Sequence, residues 1–141
     1  MHWLPKQYVL VPIDFSDASF LALAPAQEVV AEGGSLHILY VLPPLSPVDP
    51  AARWHTITDK SREEHVREAL QAKLLELGYS EVQIEVTVGN PAREIVRYAE
   101  TKPVDLIVMP THDEQGVSHF LFGSTTEQVA RHAPCSVLIV R

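Results

Sequence analysis

Residues 8–14 read YVLVPID, a short apolar run, rich in β-branched residues, that ends in an aspartate. A run of this length without polar alternation is typical of a strand buried on both faces of a parallel sheet. Ser16 follows as a candidate helix N-cap, and apolar residues at helical spacing continue toward Gly33 and Gly34. We therefore predict a strand, then one helix that ends at the two glycines and bends at Pro25, which removes a backbone donor.

The same alternation continues along the chain. Four further segments have strand patterns: 36–42, 82–88, 106–109 and 136–141. Residues 82–88 alternate apolar and polar, which is the pattern of an edge strand with one face partly wet. Three further segments have apolar residues at helical spacing: 61–77, 91–100 and 124–132.

Turn and cap signals fit the ends of these helices. Gly78 would end the first, and Asn90 followed by Pro91 would begin the second. Ser124 and Glu127 have the spacing of a capping box for the third.

Strands that alternate with helices imply right-handed crossovers, and hence an α/β fold with an open, doubly wound parallel sheet and helices on both faces. A chain of 141 residues fits a single domain, which we expect to span residues 1–141. Such sheets bind ligands at the carboxyl ends of strands, where the strand order reverses. The segments after the first and fourth strands are therefore the candidates.

The composition limits the classes of function. The net charge is −7, and no basic run occurs, whereas binding to nucleic acid or anionic lipid needs clustered Lys and Arg. We expect neither nucleic acid nor a membrane as a partner. No apolar stretch approaches the roughly 18 residues of a spanning helix, and the start lacks the order of a signal peptide, so we expect a cytoplasmic protein.

Motifs along nearly the whole chain resemble those of the universal stress proteins. They are VPIDFS at 11–16, GNP at 89–91, DLIVM at 105–109, GS at 123–124 and RHAPC at 131–135. The resemblance implies a five-stranded parallel sheet in the order 3-2-1-4-5, with the adenine-nucleotide-hydrolase-like fold. It also implies a homodimer through the C-terminal strand, by way of Val137, Leu138, Ile139 and Val140.

The resemblance further implies an adenine-nucleotide pocket. The residues that match contact positions of nucleotide-binding relatives are Pro12, Asp14, Val41, Met109, Gly123, Ser124 and Thr125. ATP-binding members carry Gly, two residues, Gly, nine residues, then Gly and Ser or Thr, but here Pro110 and Asp113 occupy the first two glycine positions. Pro110 has no N–H to offer a phosphate, and the carboxylate of Asp113 would repel one, so we expect weakened binding of ATP with Mg²⁺.

Three functions fit these observations. The first is a stress-response binding protein with a degenerate nucleotide pocket, acting mainly as a dimeric interaction module. The second is a switch that binds ATP and hydrolyses it slowly at most. The third is a metal-dependent enzyme using His112, Asp113 and His119, whose spacing matches no zinc pattern. No Gly-x-Ser-x-Gly elbow occurs, and we assign no catalytic residue and no metal ligand.

Some candidate residues also have structural interpretations. Asp14 would orient the turn before the first helix as readily as it would hold a ribose hydroxyl or a metal. Ser124 would cap a helix without any ligand. We expect His37, inside an apolar strand, to be packed and bonded to a neighbour, and Cys135, the single cysteine, to be a small buried side chain.

Overall fold

The computed structural model describes residues 3–45, 58–110 and 124–141. Within them, five parallel strands form one sheet in the order β3-β2-β1-β4-β5. The strands are β1 Lys6–Pro12, β2 Val30–Leu42, β3 Gln83–Val88, β4 Leu106–Pro110 and β5 Ser136–Val140. The predicted fold class and strand order are confirmed, and β3 lies at an edge as its alternation indicated.

Strand β1 lies at the centre of the sheet because both of its faces are apolar. Val9, Leu10 and Val11 have no exposed surface. Val9 and Val11 belong to one core cluster, and Leu10 belongs to another on the opposite face. The strand therefore separates two hydrophobic cores, as a doubly wound sheet requires.

Helices cover both cores. Those in the described ranges are α1 Asp17–Leu21, α2 Leu23–Val29, α3 Asp59–Leu77, α4 Pro91–Thr101 and α5 Ser124–His132. The first three contribute Phe20, Leu23 and Leu70 to one core, whereas α4 and α5 contribute Ile95 and Val129 to the other. In the described part of the chain, no helix combines the length and apolar character needed to span a bilayer.

The prediction of a single helix between Ser16 and the two glycines is wrong. The chain forms two short helices that meet at Ala22, and the second ends at Val29, where β2 begins directly. The break places Pro25 in the first turn of α2, where the backbone N–H groups of a helix are free and a missing donor costs no hydrogen bond. The proline is thus accommodated by a division of the helix and not by a bend. Ser16 caps α1 as predicted.

Gly33 and Gly34 belong to β2 and do not end a helix. The strand begins at Val30, not at Leu36 as predicted, and its pairing with β1 changes register in this stretch. Gly33 has a φ of 81°, a conformation that side chains with a Cβ rarely adopt. Gly34 lies so close to β1 that a Cβ would stand 2.8 Å from the carbonyl oxygen of Gln7. The glycine pair therefore allows an irregularity in β2 beside the start of β1.

The end of α3 and the start of α4 follow their predicted signals, whereas α3 begins at Asp59 and not near Ser61 as predicted. Thr58 and Ser61 form a capping box before α3, and Gly78 ends this helix with a φ of 90°. The Asn90 side chain caps α4 by accepting a hydrogen bond from the backbone N–H of Arg93, at 3.1 Å.

The start of α5 differs from the prediction. Ser124 is the first residue of the helix and not its cap, so its N–H is one of the free donors of the first turn. Glu127, expected to reach back to the cap, forms an ion pair with Arg131 at 2.8 Å. Gly123, the preceding residue, lies outside the described residues.

Candidate functional site

A cleft opens at the carboxyl ends of β1 and β4, where the strand order reverses. Ligands of doubly wound sheets bind at this position, because the connections from neighbouring strands run to opposite faces. The cleft has a volume of about 250 Å³. Its walls come from β1, β2, β4 and the first turns of α4 and α5.

The structure brings most of the predicted nucleotide contacts into this one cleft. The lining residues that were predicted are Pro12, Asp14, Val41, Met109, Ser124 and Thr125. Gly123 lies outside the described residues, as do Asp113 and the proposed metal set that includes His112 and His119. That the lining residues contact a ligand stays a prediction.

Seven further lining residues were not predicted as site residues: Ile13, Ser19, Leu39, Pro91, Ile95, Pro110 and Thr126. Three of them carried a readable signal. Leu39 stands two residues before Val41 and therefore lies on the same face of β2. Pro91 and Ile95 are four residues apart and share one face of α4. The strand and helix periodicities would have indicated these residues once one member of each pair was assigned to the cleft.

Asp14 directs the turn that enters the cleft. Its Oδ1 accepts hydrogen bonds from the Ser16 backbone N–H, at 2.9 Å, and from the Ser16 hydroxyl. Its own N–H donates to Ser19 Oγ at 3.3 Å. Among the described residues, the second carboxylate oxygen, Oδ2, accepts no hydrogen bond. The structural interpretation of Asp14 therefore accounts for one carboxylate oxygen, Oδ1.

Phe15 holds this turn against the first core. The residue has a φ of 67°, a left-handed conformation that costs a non-glycine residue roughly 1–2 kcal/mol. Its ring lies edge-on to Phe20 and Tyr40, with centroid distances of 5.9 and 5.2 Å. Aromatic pairs of this geometry contribute roughly 0.5–1.5 kcal/mol each, which is enough to offset the backbone cost. The aromatic contacts thereby fix the residue next to Asp14.

The first turn of α5 is tied to the end of β4. Thr126 is buried, and its Oγ1 donates a hydrogen bond to the carbonyl oxygen of Pro110 at 3.0 Å. Pro110 therefore contributes a carbonyl acceptor to this part of the fold, whereas the sequence analysis considered only its missing N–H. The bond positions Ser124 and Thr125 at the cleft, where the free N–H groups of the helix start favour negative charge.

The charge of the cleft is negative where it is described. Among its described lining residues, Asp14 is the only ionisable side chain. The described lining contains no Lys or Arg that could neutralise a polyphosphate. Its remaining groups are apolar side chains, prolines and hydroxyls. The cleft is thus suited to an apolar ring with hydroxyl groups and to modest negative charge at the α5 start.

His37 is packed and bonded to a neighbour as the sequence indicated, whereas Cys135 is half-buried against the second core and not buried as predicted. The His37 ring stacks on Tyr8, with centroids 3.8 Å apart, and its Nε2 lies 2.7 Å from Ser35 Oγ. Burial lowers the pKa of His37 and raises the pKa of the Cys135 thiol. Neither residue lines the cleft, so neither is part of the candidate site.

The two edge strands of the sheet, β3 and β5, differ in hydrogen bonding and in burial. At β3, the guanidinium of Arg67 donates to the carbonyl oxygen of Ile84 at 2.6 Å. At the opposite edge, all of β5 is half-buried, and within the described ranges the strand pairs only with β4. An apolar edge strand presents unpaired backbone groups to another strand. Strand β5 is therefore the more open of the two edges.

Several universal stress proteins are similar to this chain in sequence and structure. Universal stress protein MJ0531 of Methanocaldococcus jannaschii is 34% identical over 138 residues, covering 94% of this chain and 81% of that protein. Universal stress protein UspA from Lactobacillus plantarum superposes with a TM-score of 0.76 at 28% identity, covering 96% of this chain and 98% of that one. A universal stress protein solved in complex with cAMP gives a TM-score of 0.68 at 25% identity, covering 97% and 98%. Because the profile of the universal stress protein family also matches residues 7–141, this chain belongs to that family.

Proposed function

We propose that the cleft binds the adenosine part of a small adenine nucleotide and that the chain is a nucleotide-regulated binding protein, not a catalyst. One observation carries the proposal: the switch-point cleft joins apolar walls to an aspartate with one oxygen available. The complex of a related universal stress protein with cAMP supports the ligand class. The family name supports a role in the response to stress.

The apolar walls suit an adenine ring. Val41, Met109 and Ile95 line the cleft from β2, β4 and α4. Small-molecule sites are typically lined by apolar side chains, with a few polar groups that set the orientation of the ligand. A flat base between these side chains would leave its sugar toward the carboxyl end of β1.

Asp14 suits the ribose. Its Oδ1 is held by Ser16, so the carboxylate has a fixed orientation before any ligand arrives. Oδ2 would accept a hydrogen bond from a ribose hydroxyl. A group that is already ordered loses less conformational entropy on binding, which improves affinity.

The phosphate end favours a monophosphate over a triphosphate. The free N–H groups at the start of α5 attract one phosphate, but the described lining has no cation to balance several. A volume of about 250 Å³ also lies below the roughly 300–1,000 Å³ of typical ligand pockets. AMP or a cyclic monophosphate therefore fits the cleft better than ATP with Mg²⁺.

Titration calorimetry tests the proposal with AMP, cAMP, GMP and ATP with Mg²⁺. We expect an adenine monophosphate to bind at least tenfold more tightly than ATP or GMP. Asp14→Asn keeps an acceptor for Ser16 but removes the second carboxylate oxygen, so affinity should fall about tenfold, as for one lost hydrogen bond to a charged group. Asp17→Asn, an exposed aspartate of α1 outside the cleft, is the matched control.

The outcomes separate the alternatives. Tighter binding of ATP than of any monophosphate would favour the ATP switch, and phosphate release would then be measured. If no adenine nucleotide bound at millimolar concentration, the proposal would be overturned. The remaining function would be that of an interaction module with a degenerate nucleotide pocket.

We also propose that the protein forms a homodimer through β5. Val137, Leu138, Ile139 and Val140 are half-buried in the single chain and would be covered by a second copy. The Arg67 guanidinium occupies a carbonyl at the β3 edge, which disfavours pairing there. Sedimentation velocity should give a dimer for the natural chain and a monomer for Leu138→Arg, and a monomeric natural chain would contradict the proposal.

A further inference from the structure

The segment before β1 places exposed apolar side chains beside the edge strand. The indole N–H of Trp3 donates to the hydroxyl of Ser136, the first residue of β5, at 3.3 Å. The ammonium group of Lys6 lies 4.3 Å from the centroid of the same indole. Trp3 is nevertheless 51% exposed and Leu4 is 41% exposed. The indole is thus held next to β5 without being covered, and the side chain of the following residue, Leu4, is also exposed.

Strand β5 alone is too small to make a stable interface. It has five residues. A standard protein–protein interface uses roughly 20–30 residues on each side and buries about 800 Å² per partner. A dimer formed through β5 therefore needs further apolar surface that flanks the strand at the same edge.

We infer that Trp3 and Leu4 of each copy pack against the second copy at the ends of the paired β5 strands. The inference rests on the proposed dimer through β5. Identical edge strands related by a two-fold axis pair antiparallel. Pairing centred on Leu138 sets Ser136 of one copy opposite Val140 of the other, so the indole bonded to Ser136 meets the carboxyl end of the second copy's strand.

The indole supplies a useful share of the missing area. A Trp side chain buries roughly 150–250 Å² in an interface, and about half of Trp3 is still exposed, so each copy has about 100 Å² of indole to cover. Trp is enriched among the few residues that dominate interface affinity. We expect Trp3→Ala to raise the dimer dissociation constant at least tenfold, and Trp3→Phe to raise it much less.

Sedimentation velocity over a dilution series tests the inference with the full chain. Leu75→Ala is the matched control, because Leu75 is 66% exposed but lies on α3, which packs on β3 at the opposite edge of the sheet from β5. The control should dimerise as the natural chain does. Thermal unfolding of Leu138→Arg with and without Trp3→Ala measures any effect of Trp3 on the monomer, so that a folding defect is not mistaken for a lost interface.

Fluorescence gives an independent readout. The chain has two tryptophans, and Trp54→Phe leaves Trp3 as the single emitter. Its emission should shift to the blue as the dimer forms and should stay red-shifted in the Leu138→Arg background.

The outcomes distinguish this inference from the dimer on which it rests. A natural chain that is monomeric throughout overturns both. The dimer through β5 would stand, and the role of Trp3 would be overturned, by a different set of results. In that case Leu138→Arg breaks the dimer, Trp3→Ala leaves the dissociation constant unchanged, and the emission of Trp3 does not change on association.

Discussion

Asp105 and Tyr8 are joined by two hydrogen bonds just before β4 and at the start of β1. The Tyr8 N–H donates to Asp105 Oδ1 at 3.0 Å, and the Asp105 N–H donates to the Tyr8 carbonyl oxygen at 3.0 Å. Oδ2 of Asp105 accepts from the Gln7 N–H at 2.8 Å. Regular pairing of the two strands begins at Val9 and Leu106. The carboxylate of Asp105 therefore extends the contact between the central strands beyond the regular sheet.

We predict that Asp105→Ala lowers the free energy of unfolding by about 2 kcal/mol, because two backbone N–H groups lose a charged acceptor. Asp105→Asn keeps one acceptor oxygen and should cost about half as much. Urea unfolding measures both. Glu76→Ala, which removes an exposed carboxylate 4.0 Å from Lys73, should change stability by less than about 0.5 kcal/mol. A loss for Asp105→Ala no larger than this control would show that the sheet does not depend on the carboxylate.

Apolar periodicity and caps predicted the parts of the fold that depend on neighbours in sequence. The buried run of β1, the Asn90 cap and the Gly78 stop were all readable, because each acts within a few residues. The division of the first helix was not, because Pro25 permits either a kink or a new helix start. The irregularity at Gly34 was missed because it depends on Gln7 in a neighbouring strand, a contact that no local pattern reveals.

The candidate site was predictable to a similar extent. The resemblance indicated Asp14 and Val41 as site residues. That Ser16 bonds to only one of the two carboxylate oxygens of Asp14 could be seen only in the structure. The bond from Thr126 to the Pro110 carbonyl was also missed. Sequence reasoning considered the missing donor of this proline, whereas the structure uses its acceptor.

Gly33 and Gly34 should respond differently to substitution by alanine. A Cβ at Gly34 would lie 2.8 Å from the Gln7 carbonyl oxygen and 3.0 Å from that of Ala31, so β1 and β2 would have to separate. A Cβ at Gly33 meets no atom of the described residues within 4 Å, and its cost comes from a φ of 81°. We predict a loss of about 1 kcal/mol for Gly33→Ala and at least twice that for Gly34→Ala, measured by urea unfolding. Equal losses would contradict the close approach at Gly34.

His37 should make stability depend on pH. Burial is the main cause that lowers its pKa below 6.5 in the folded chain; the Glu85 carboxylate opposes this shift and the Lys102 ammonium adds to it. The unfolded chain therefore binds the proton first as the pH falls. The stabilisation from neutral His37 is fully present above about pH 6.5 and is lost as the pH falls through the folded pKa.

We therefore predict that urea midpoints fall more steeply below about pH 6.5 for the natural chain than for His37→Phe, which keeps a ring to stack on Tyr8. The same profile for His65→Phe, at an exposed histidine of α3, controls for the loss of one imidazole. Parallel pH profiles for the natural chain and His37→Phe would remove His37 as the source of the effect.

Thr126 should link the stability of the fold to the shape of the cleft. Thr126→Val has the same shape but lacks the hydroxyl that bonds to the Pro110 carbonyl, so we predict a loss of about 1–2 kcal/mol in the free energy of unfolding. Because that bond holds the first turn of α5 to β4, affinity for an adenine monophosphate should also fall. Thr126→Ser restores the donor and should recover both properties in large part.

Thr125→Val provides the contrast, because Thr125 lines the cleft and is only half-buried. It should weaken nucleotide binding in calorimetry and leave the urea midpoint nearly unchanged. If Thr126→Val lost stability but bound nucleotide as tightly as the natural chain, the first turn of α5 would keep its position without the bond. The N–H groups of that turn would then be organised by the helix itself and not by its attachment to β4.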